Sequence, residues 1–364
     1  MKLRSQMGSP YMEFAKLSSD AKYNLATSGI MSYPLAELPV KIEDLEINGT
    51  GPYGYRPLVE RIAQYNGVSA ECVMTAAGTS FANHLAMATS FDPGDEVLIE
   101  HPTYELLEST ALYLGADLNR FERRCEDGFR LDPNEVERHI SPRTKLIIVT
   151  NLHNPSGNYA DENTIRAVGE IAKSHGTRVL VDEVYLESFY ENRPKPAFNY
   201  GEHFLVTSSL TKAFGLSGIR CGWVLCSPRL AHRMWRINDL YAATPAHPAE
   251  LISVIALDHL EQVAARAKSL LDANRKALNE FLDAQTTLDV YRPEHGTIAF
   301  PRFKKGSVED LVCLLREKYE TSVVPGRFFD MPQHFRIGIG GDPEMTRIGL
   351  EQLGSALNEY AESV

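Results

Sequence analysis

Lys212 stands in the run Thr207-Ser208-Ser209-Leu210-Thr211-Lys212-Ala213-Phe214-Gly215, an amine among small hydroxylated residues and a glycine, with Arg220 eight positions further on. The flanks predict a strand from His203 to Leu210 that stops just before the lysine, then a Gly/Ser-rich turn that keeps bulky side chains away from it. Room beside an amine suits a lysine that forms an imine with a bound aldehyde. Ser209 and Arg220, close by in sequence, could converge on one small anion. Read alone, Lys212 is equally an ordinary exposed lysine beside a loop.

Four further runs fall where strands are expected to end, the place at which open α/β sheets bind ligands. Ala76-Ala77-Gly78-Thr79-Ser80-Phe81-Ala82-Asn83 joins a strand to a helical stretch and offers backbone N–H groups and hydroxyls to a phosphate, although Gly-Thr-Ser is also a common helix cap. Thr150-Asn151-Leu152-His153-Asn154-Pro155-Ser156-Gly157 turns out of an apolar strand and places the Asn154 amide near a cofactor oxygen. Val181-Asp182-Glu183-Val184-Tyr185 puts a carboxylate into an apolar strand, which is costly unless the group is paired. A protonated ring nitrogen would pair with Asp182, and so would an arginine or a helix cap; Tyr185 could reach the same ring's oxygen. Phe335-Arg336-Ile337-Gly338-Ile339-Gly340-Gly341 carries an arginine whose fork suits a carboxylate, or a surface ion pair. Tyr104, in His101-Pro102-Thr103-Tyr104-Glu105, could stack on a planar ring or simply fill the core. Imine, phosphate cradle, carboxylate for a ring nitrogen and phenol for a ring oxygen together describe pyridoxal 5′-phosphate.

The elements that must position these side chains read as an α/β fold. Seven strands are expected in a mostly parallel sheet flanked by helices: Val73 to Ala77, Glu96 to Ile99, Ala116 to Phe121, Lys145 to Thr150, Arg178 to Val184, Phe204 to Ser208 and Cys221 to Cys226. The continuously apolar Leu146-Ile147-Ile148-Val149 and Val179-Leu180-Val181 fit central strands covered on both faces. From Ala249 to Ala284 there is neither proline nor glycine, and one long helix, broken at most once, is expected. Short strands around Leu288–Tyr291, Gly296–Phe300, Thr321–Val324 and Phe335–Ile339, with helices over Ser307–Tyr319 and Pro343–Glu362, suggest a smaller α+β domain. The first 45 residues show no clear periodicity, and Asn24 to Pro39 reads as extended chain with turns. The division expected is a large domain over 46–245 and a small one made of 1–45 and 246–364.

Composition narrows the function. With 364 residues, 43% hydrophobic and 23% charged, the chain can bury a large core, and no run approaches the roughly 18 apolar residues of a membrane span. The start, Met1 to Pro10, has no apolar stretch of a secretory signal, so the cytoplasm is the expected compartment. A net charge of −11 and no basic run longer than Arg123-Arg124 argue against nucleic acid as a partner. Cys72, Cys125, Cys221, Cys226 and Cys313 make an odd, widely spaced set with no C-x-x-C pair, so neither a disulfide framework nor a metal is expected.

Taken in order, the runs resemble the fold-type I pyridoxal-phosphate enzymes, and within them the class I/II aminotransferases, from about Gly49 to Gly340. The resemblance implies that Lys212 holds the cofactor as an imine and shuttles protons, that Asp182 pairs with its ring nitrogen, and that Asn154 and Tyr185 bond its hydroxyl. It implies that Tyr104 covers the ring face and that Gly78, Thr79, Ser80, Ser209 and Arg220 form the phosphate site. Arg336 would bind the substrate carboxylate, with Gly29 and Asn154 beside it. Tyr53, or Tyr55, would reach the phosphate of a neighbouring subunit in a homodimer. The family has proline where this chain has Leu152. The activity implied is transfer of an amino group from an L-amino acid to a 2-oxo acid by a ping-pong route. A β-elimination lyase would use the same lysine, aspartate and arginine. A serine acyl-enzyme is the remoter alternative, since Ser209-Leu210-Thr211-Lys212 satisfies S-x-x-K but neither S-D-N nor K-T-G is present. A dicarboxylic substrate would need a second cation, for which Arg123, Arg124, Arg292 and Arg327 are all conceivable.

Overall fold

The residues of the central strands alternate between two apolar layers, and that alternation sets the architecture. In the computed structural model, which describes residues 6–49 and 53–363, a seven-stranded sheet is formed by β1 (Val73–Ala77), β2 (Glu96–His101), β3 (Asp117–Glu122), β4 (Thr144–Thr150), β5 (Arg178–Asp182), β6 (Phe204–Ser209) and β7 (Cys221–Leu225). The order across the sheet is β1-β7-β6-β5-β4-β2-β3, with β7 antiparallel to both neighbours and every other pair parallel. Along β4 and β5, Ile147, Val149, Val179 and Val181 enter one core while Leu146, Ile148 and Leu180 enter the other. Both faces are therefore covered, as continuously apolar parallel strands require.

The first core takes Leu58 and Ile62 of α2 (Arg56–Asn66), Val136 of α5 (Pro133–His139), and Ile165 and Val168 of α6 (Glu162–Ser174). The second takes Leu85 of α3 (Thr79–Ala88), Leu107 of α4 (Glu105–Tyr113) and Met234 of α7 (Pro228–Asn238). The expected long helix is present as α8 (His247–Asp258) and α9 (Leu260–Ala284), interrupted at His259.

A separate core joins α9, α10 (Val308–Tyr319) and α11 (Pro343–Ser363) to Phe335 and Ile337, and it draws in Leu25 and Ile30 from the beginning of the chain. Its strands are short: Ile298–Ala299, Phe335–Gly338 and Val324–Pro325 form an antiparallel sheet, and Tyr23–Asn24 pairs in parallel with Thr321–Ser322. The stretch expected as one strand, Thr321 to Val324, is thus split between two sheets.

The N-terminal expectation needs correction. Pro10–Leu17 is a helix, α1, begun by Pro10 at its first position and by Ser9, whose hydroxyl accepts from the Met12 N–H. Eight residues give barely two turns, too few for the 3.6-residue period to stand out, and only Tyr11 and Phe14 are buried. Gly51 and Pro52 of the tyrosine motif, and Met1 to Ser5, lie outside the described residues.

Candidate active site

Five loops meet at one edge of the sheet because of strand direction. β1, β2, β4, β5 and β6 all deliver their C-terminal ends there, to Gly78, Tyr104, Asn154, Tyr185 and Lys212 respectively. β7 runs the other way, with Cys221 opposite Ala77 and Gly222 opposite Ser209, so its N-terminal end brings Arg220 to the same edge. A cavity of about 290 Å³ opens between them. Lys212, Asp182, Tyr185, Asn154, Tyr104, Thr79, Ser80, Ser209 and Arg220 all line it.

Lys212 is held from a direction the sequence did not signal. Its Nζ donates to Ser28 Oγ at 3.0 Å, and its carbonyl accepts from the Ile30 N–H at 2.8 Å. Tyr33 N–H donates to the Gly215 carbonyl, where φ is +70° and a Cβ would lie 2.3 Å from the Met31 oxygen. Gly29 runs against the lysine itself, so that a Cβ there would sit 3.4 Å from Lys212 Cδ. Tyr190 also fixes the loop, its hydroxyl donating to the Ala213 carbonyl at 2.6 Å.

Asp182 is buried, and its Oδ2 accepts from the Asn83 amide at 2.8 Å while Oδ1 accepts from the Val184 N–H at 3.1 Å. Asn83 sits one helical turn beyond Thr79 on α3 and in turn accepts from Thr207. Burial pushes the Asp182 carboxyl up to about 6, against those hydrogen bonds and the charge of Lys212. The carboxylate is thus desolvated without a contacting cation, the condition that a protonated ring nitrogen would relieve.

Arg336 is wholly buried. Nη1 donates to Asn154 Oδ1 at 3.0 Å and Nη2 to the Tyr11 hydroxyl at 2.7 Å, while Nε meets no acceptor among the described residues. Among those residues no carboxylate pairs with it, so an anionic ligand is the partner its charge calls for. The four other arginines considered for a substrate side chain are engaged elsewhere: Arg123 with Glu100 at 2.7 Å in the core, Arg124 with Glu135, Arg292 with Asp283, and Arg327 with Glu309.

At the opposite end, Thr79 Oγ1 donates to Ser209 Oγ at 2.8 Å at the N-terminus of α3. Arg220 Nη2 donates to the Ala77 carbonyl at 3.0 Å and packs over Gly78, whose Cβ, had it one, would lie 2.3 Å from that nitrogen. Arg220 adopts φ +52° to do so, a left-handed conformation unusual for a side chain of this size. A hydroxyl pair, a guanidinium and a helix N-terminus over a glycine make an anion cradle. Together with the desolvated Asp182 and an Arg336 that no carboxylate neutralises, it fits pyridoxal phosphate and an amino-acid carboxylate. Among the described residues no group of His, Cys, Asp and Glu is arranged for a metal ion.

One alternative read from the sequence looks different in three dimensions. Ser209 accepts from Thr79 and from the Thr211 N–H, while Lys212 Nζ donates to Ser28, so the S-x-x-K alternative lacks the nucleophile–base contact it requires. Tyr53 does not line the cavity of its own chain: it stacks on Trp235 with ring centroids 5.9 Å apart, and its hydroxyl accepts from Arg236 at 2.9 Å. Asn83 and Tyr11 are the polar residues the motifs missed, and Ser28, part of the Ser28-Gly29-Ile30 stretch expected at the substrate, meets the lysine instead. Asn83 lies within the quoted Gly-Thr-Ser run, and Tyr11 gave no signal in the sequence.

Residues 38–353 match the family described as aminotransferase class I and II. The chain is similar to capreomycidine synthase of Streptomyces vinaceus, 28% identical over 356 residues, covering 94% of this chain and 91% of that one. It is similar to the aspartate/prephenate aminotransferase of Thermus thermophilus, 28% identical over 309 residues, with 82% and 80% covered. Among solved structures, a PLP-dependent aminotransferase from Streptococcus suis superimposes with a TM-score of 0.92 at 25% identity, over 98% of this chain and 99% of that one.

Proposed function

The chain belongs to the aminotransferase class I and II family, and from that premise we propose that the cavity at Lys212 is where an L-amino acid surrenders its amino group to a 2-oxo acid. The enzyme is a pyridoxal-phosphate-dependent aminotransferase. The observation that carries the site assignment is a cavity lined by a lysine amine and by the desolvated Asp182, with the buried Arg336, which no carboxylate among the described residues neutralises, held behind its wall residues Asn154 and Tyr11.

Thr79, Ser80, Ser209 and Arg220 would hold the cofactor phosphate, with Gly78 letting the backbone approach. Asp182 would face the ring nitrogen, Asn154 and Tyr185 the ring hydroxyl, and Tyr104 the ring face. Bound there, the cofactor supplies an electrophilic aldehyde and a ring that withdraws electrons from the substrate's Cα. Lys212 is the base that takes the Cα proton, and Ser28 holds its amine in place before reaction. Arg336 anchors the α-carboxylate so that the Cα–H faces the lysine. Asn154 bridges the two ends, since its Oδ1 fixes Arg336. Gly29 shapes the wall by its close approach to Lys212. The cavity wall from α1 is Tyr11, Met12 and Ala15, and among the described residues the cations at the cavity are Lys212, Arg220 and, behind Asn154 and Tyr11, Arg336. We infer a substrate side chain without a second carboxylate.

We further propose a division into domains at 46–245 and 1–45 with 246–364, supported by the separate core around Leu278, Leu311 and Ile337, while Tyr33, Leu38, Ala256 and Val263 pack into the core of the large domain, and a homodimer in the cytoplasm. The dimer reading is supported by Tyr53 lying outside the lining of its own cavity and by exposed Leu240 and Tyr241 just beyond α7, on which Tyr53 stacks. No described helix is long and apolar enough to cross a membrane.

The test is the absorbance of protein purified with pyridoxal phosphate, before and after adding single L-amino acids without an oxo acid. A visible band should give way to a near-ultraviolet one, with leucine or methionine acting at lower concentration than aspartate. Lys212→Ala should lose both the band and turnover. Ammonia and an oxo acid released from one substrate, with the band restored unaided, would mark a lyase.

A further inference from the structure

Tyr11 is the one aromatic hydroxyl that α1 inserts between the lysine and the carboxylate-binding arginine. It is 5% exposed, wedged edge-on against Tyr104 at 5.5 Å and Phe328 at 5.9 Å, and its oxygen lies 2.7 Å from Arg336 Nη2. The hydrogen bond at that oxygen comes from Arg336, itself a donor, so the phenol's own proton is not given to it. Lys212, which donates to Ser28 on the same cavity wall, adds a second positive charge near the phenol. Burial alone would raise the phenol, but the charges of Arg336 and Lys212 and the hydrogen bond from Arg336 outweigh it and hold it below its ordinary value. A phenol so polarised is a strengthened donor.

We propose that Tyr11 completes the α-carboxylate site: its oxygen fixes the Arg336 guanidinium, and its O–H is given to one carboxylate oxygen while Arg336 takes the other. A guanidinium with one Nη on Asn154 and the other on Tyr11 has its fork turned and clamped from both sides. A carboxylate arriving there meets a donor on each flank. Tyr11 lies in the first turn of α1, beside Met12 and Ala15 of the same cavity wall. The inference rests on the aminotransferase reading above.

Tyr11→Phe keeps the ring and removes the donor. Pyruvate, which has the α-carboxylate and little side chain, binds the lysine-linked cofactor form without donating an amine, so calorimetry reads the carboxylate site directly. The dissociation constant for pyruvate should rise roughly 10- to 100-fold, the range for a hydrogen bond to a charged group. KM for the amino acid should rise in parallel with kcat within about threefold, as expected when ground state and transition state lose the same contact. The visible band and the affinity for pyridoxal phosphate should not move. Phe14→Leu, which loosens α1 without touching the hydroxyl, should leave pyruvate binding within about threefold of the parent. Unchanged pyruvate affinity and KM in Tyr11→Phe, or an equal loss in Phe14→Leu, would overturn the assignment. A parent protein whose spectrum no L-amino acid moves would instead fail the aminotransferase reading itself.

Discussion

Asp182 shows what a single residue gives up to be ready for a ligand. Its carboxyl is buried, bonded to an amide and a backbone N–H, and pushed up to about 6 by burial. Ionising it in the folded apoprotein therefore costs more than in the unfolded chain. A group raised in this way contributes its stability in full below its unfolded value near 4, and that contribution is lost as pH rises through about 6. Asp182→Asn removes the penalty while keeping an oxygen for Asn83. The cofactor-free variant should then be more stable than the parent at a pH of about 7.5, by up to about 3 kcal/mol. The gap should shrink between about pH 6 and about pH 4 and vanish below that. Urea unfolding of the two apoproteins across this range checks it, and parallel curves would mean that the carboxyl is not desolvated. With the cofactor bound the order reverses, since an amide cannot balance a charged ring nitrogen and turnover should fall. Lys212, Asp182 and the Arg220 loop were legible in sequence because each breaks a local rule: a lysine among glycines and serines, an aspartate in an apolar strand.

The elements divide by how far their information travels. The seven strands were readable because apolar runs and turn residues are local, and the loops at their ends inherited that clarity. The segment from Tyr23 to Tyr33 read as extended chain with turns but not as part of the site, because its bonding partners lie far along the chain: Gly338 N–H donates to the Leu25 carbonyl, Thr297 Oγ1 to the Ser28 carbonyl, and Met31 N–H to the Gly340 carbonyl. Extended chain satisfied by distant backbone leaves no period to detect. Helix α1 was hidden by brevity, and with it went Tyr11 and the Arg336 contact. The same segment crosses from the lysine loop to the arginine strand through Ile30 and Met31, so it acts as a strap between the two halves of the site. Its close passage over Gly338 and Gly340 is what those glycines are for: a Cβ at Gly338 would lie 1.8 Å from the Thr27 oxygen, and one at Gly340 2.0 Å from the Gly29 oxygen. Gly338→Ala should destabilise the protein by about 2–3 kcal/mol, since backbone cannot yield as a side-chain tip can. It should also shift the visible band or weaken substrate binding, because the strap holding Ser28 against Lys212 is displaced. A melting temperature and spectrum like the parent's would show that the strap adjusts freely.

At the scale of the whole molecule, Tyr53 is informative because its own cavity does not use it. It lies on α7 with Trp235, its hydroxyl between Arg236 and Asp239, while Tyr241 packs against Phe81 near the start of α3, the helix proposed to receive the phosphate. If two chains associate through this region, each Tyr53 serves the phosphate site of the other, and the active site becomes a property of the pair. Mixing two damaged chains tests this with any amino acid that the parent enzyme turns over. Lys212→Ala lacks its base, and Tyr53→Phe lacks the hydroxyl it lends. In a mixed dimer the site built on the Tyr53→Phe chain has its own Lys212 and borrows an intact Tyr53, so it is whole; the other site has neither. Random reassociation of equal amounts makes about half the dimers mixed, each with one intact site of two, and activity should recover to about a quarter of the parent's. Tyr53→Phe alone should show weakened affinity for pyridoxal phosphate. Complementation requires exchange between subunits, so both chains are refolded together before assay. No recovery, despite mixed dimers separated by a charge tag, would place Tyr53 outside the site, and a sedimentation coefficient of a single 364-residue chain would remove the dimer on which the argument stands.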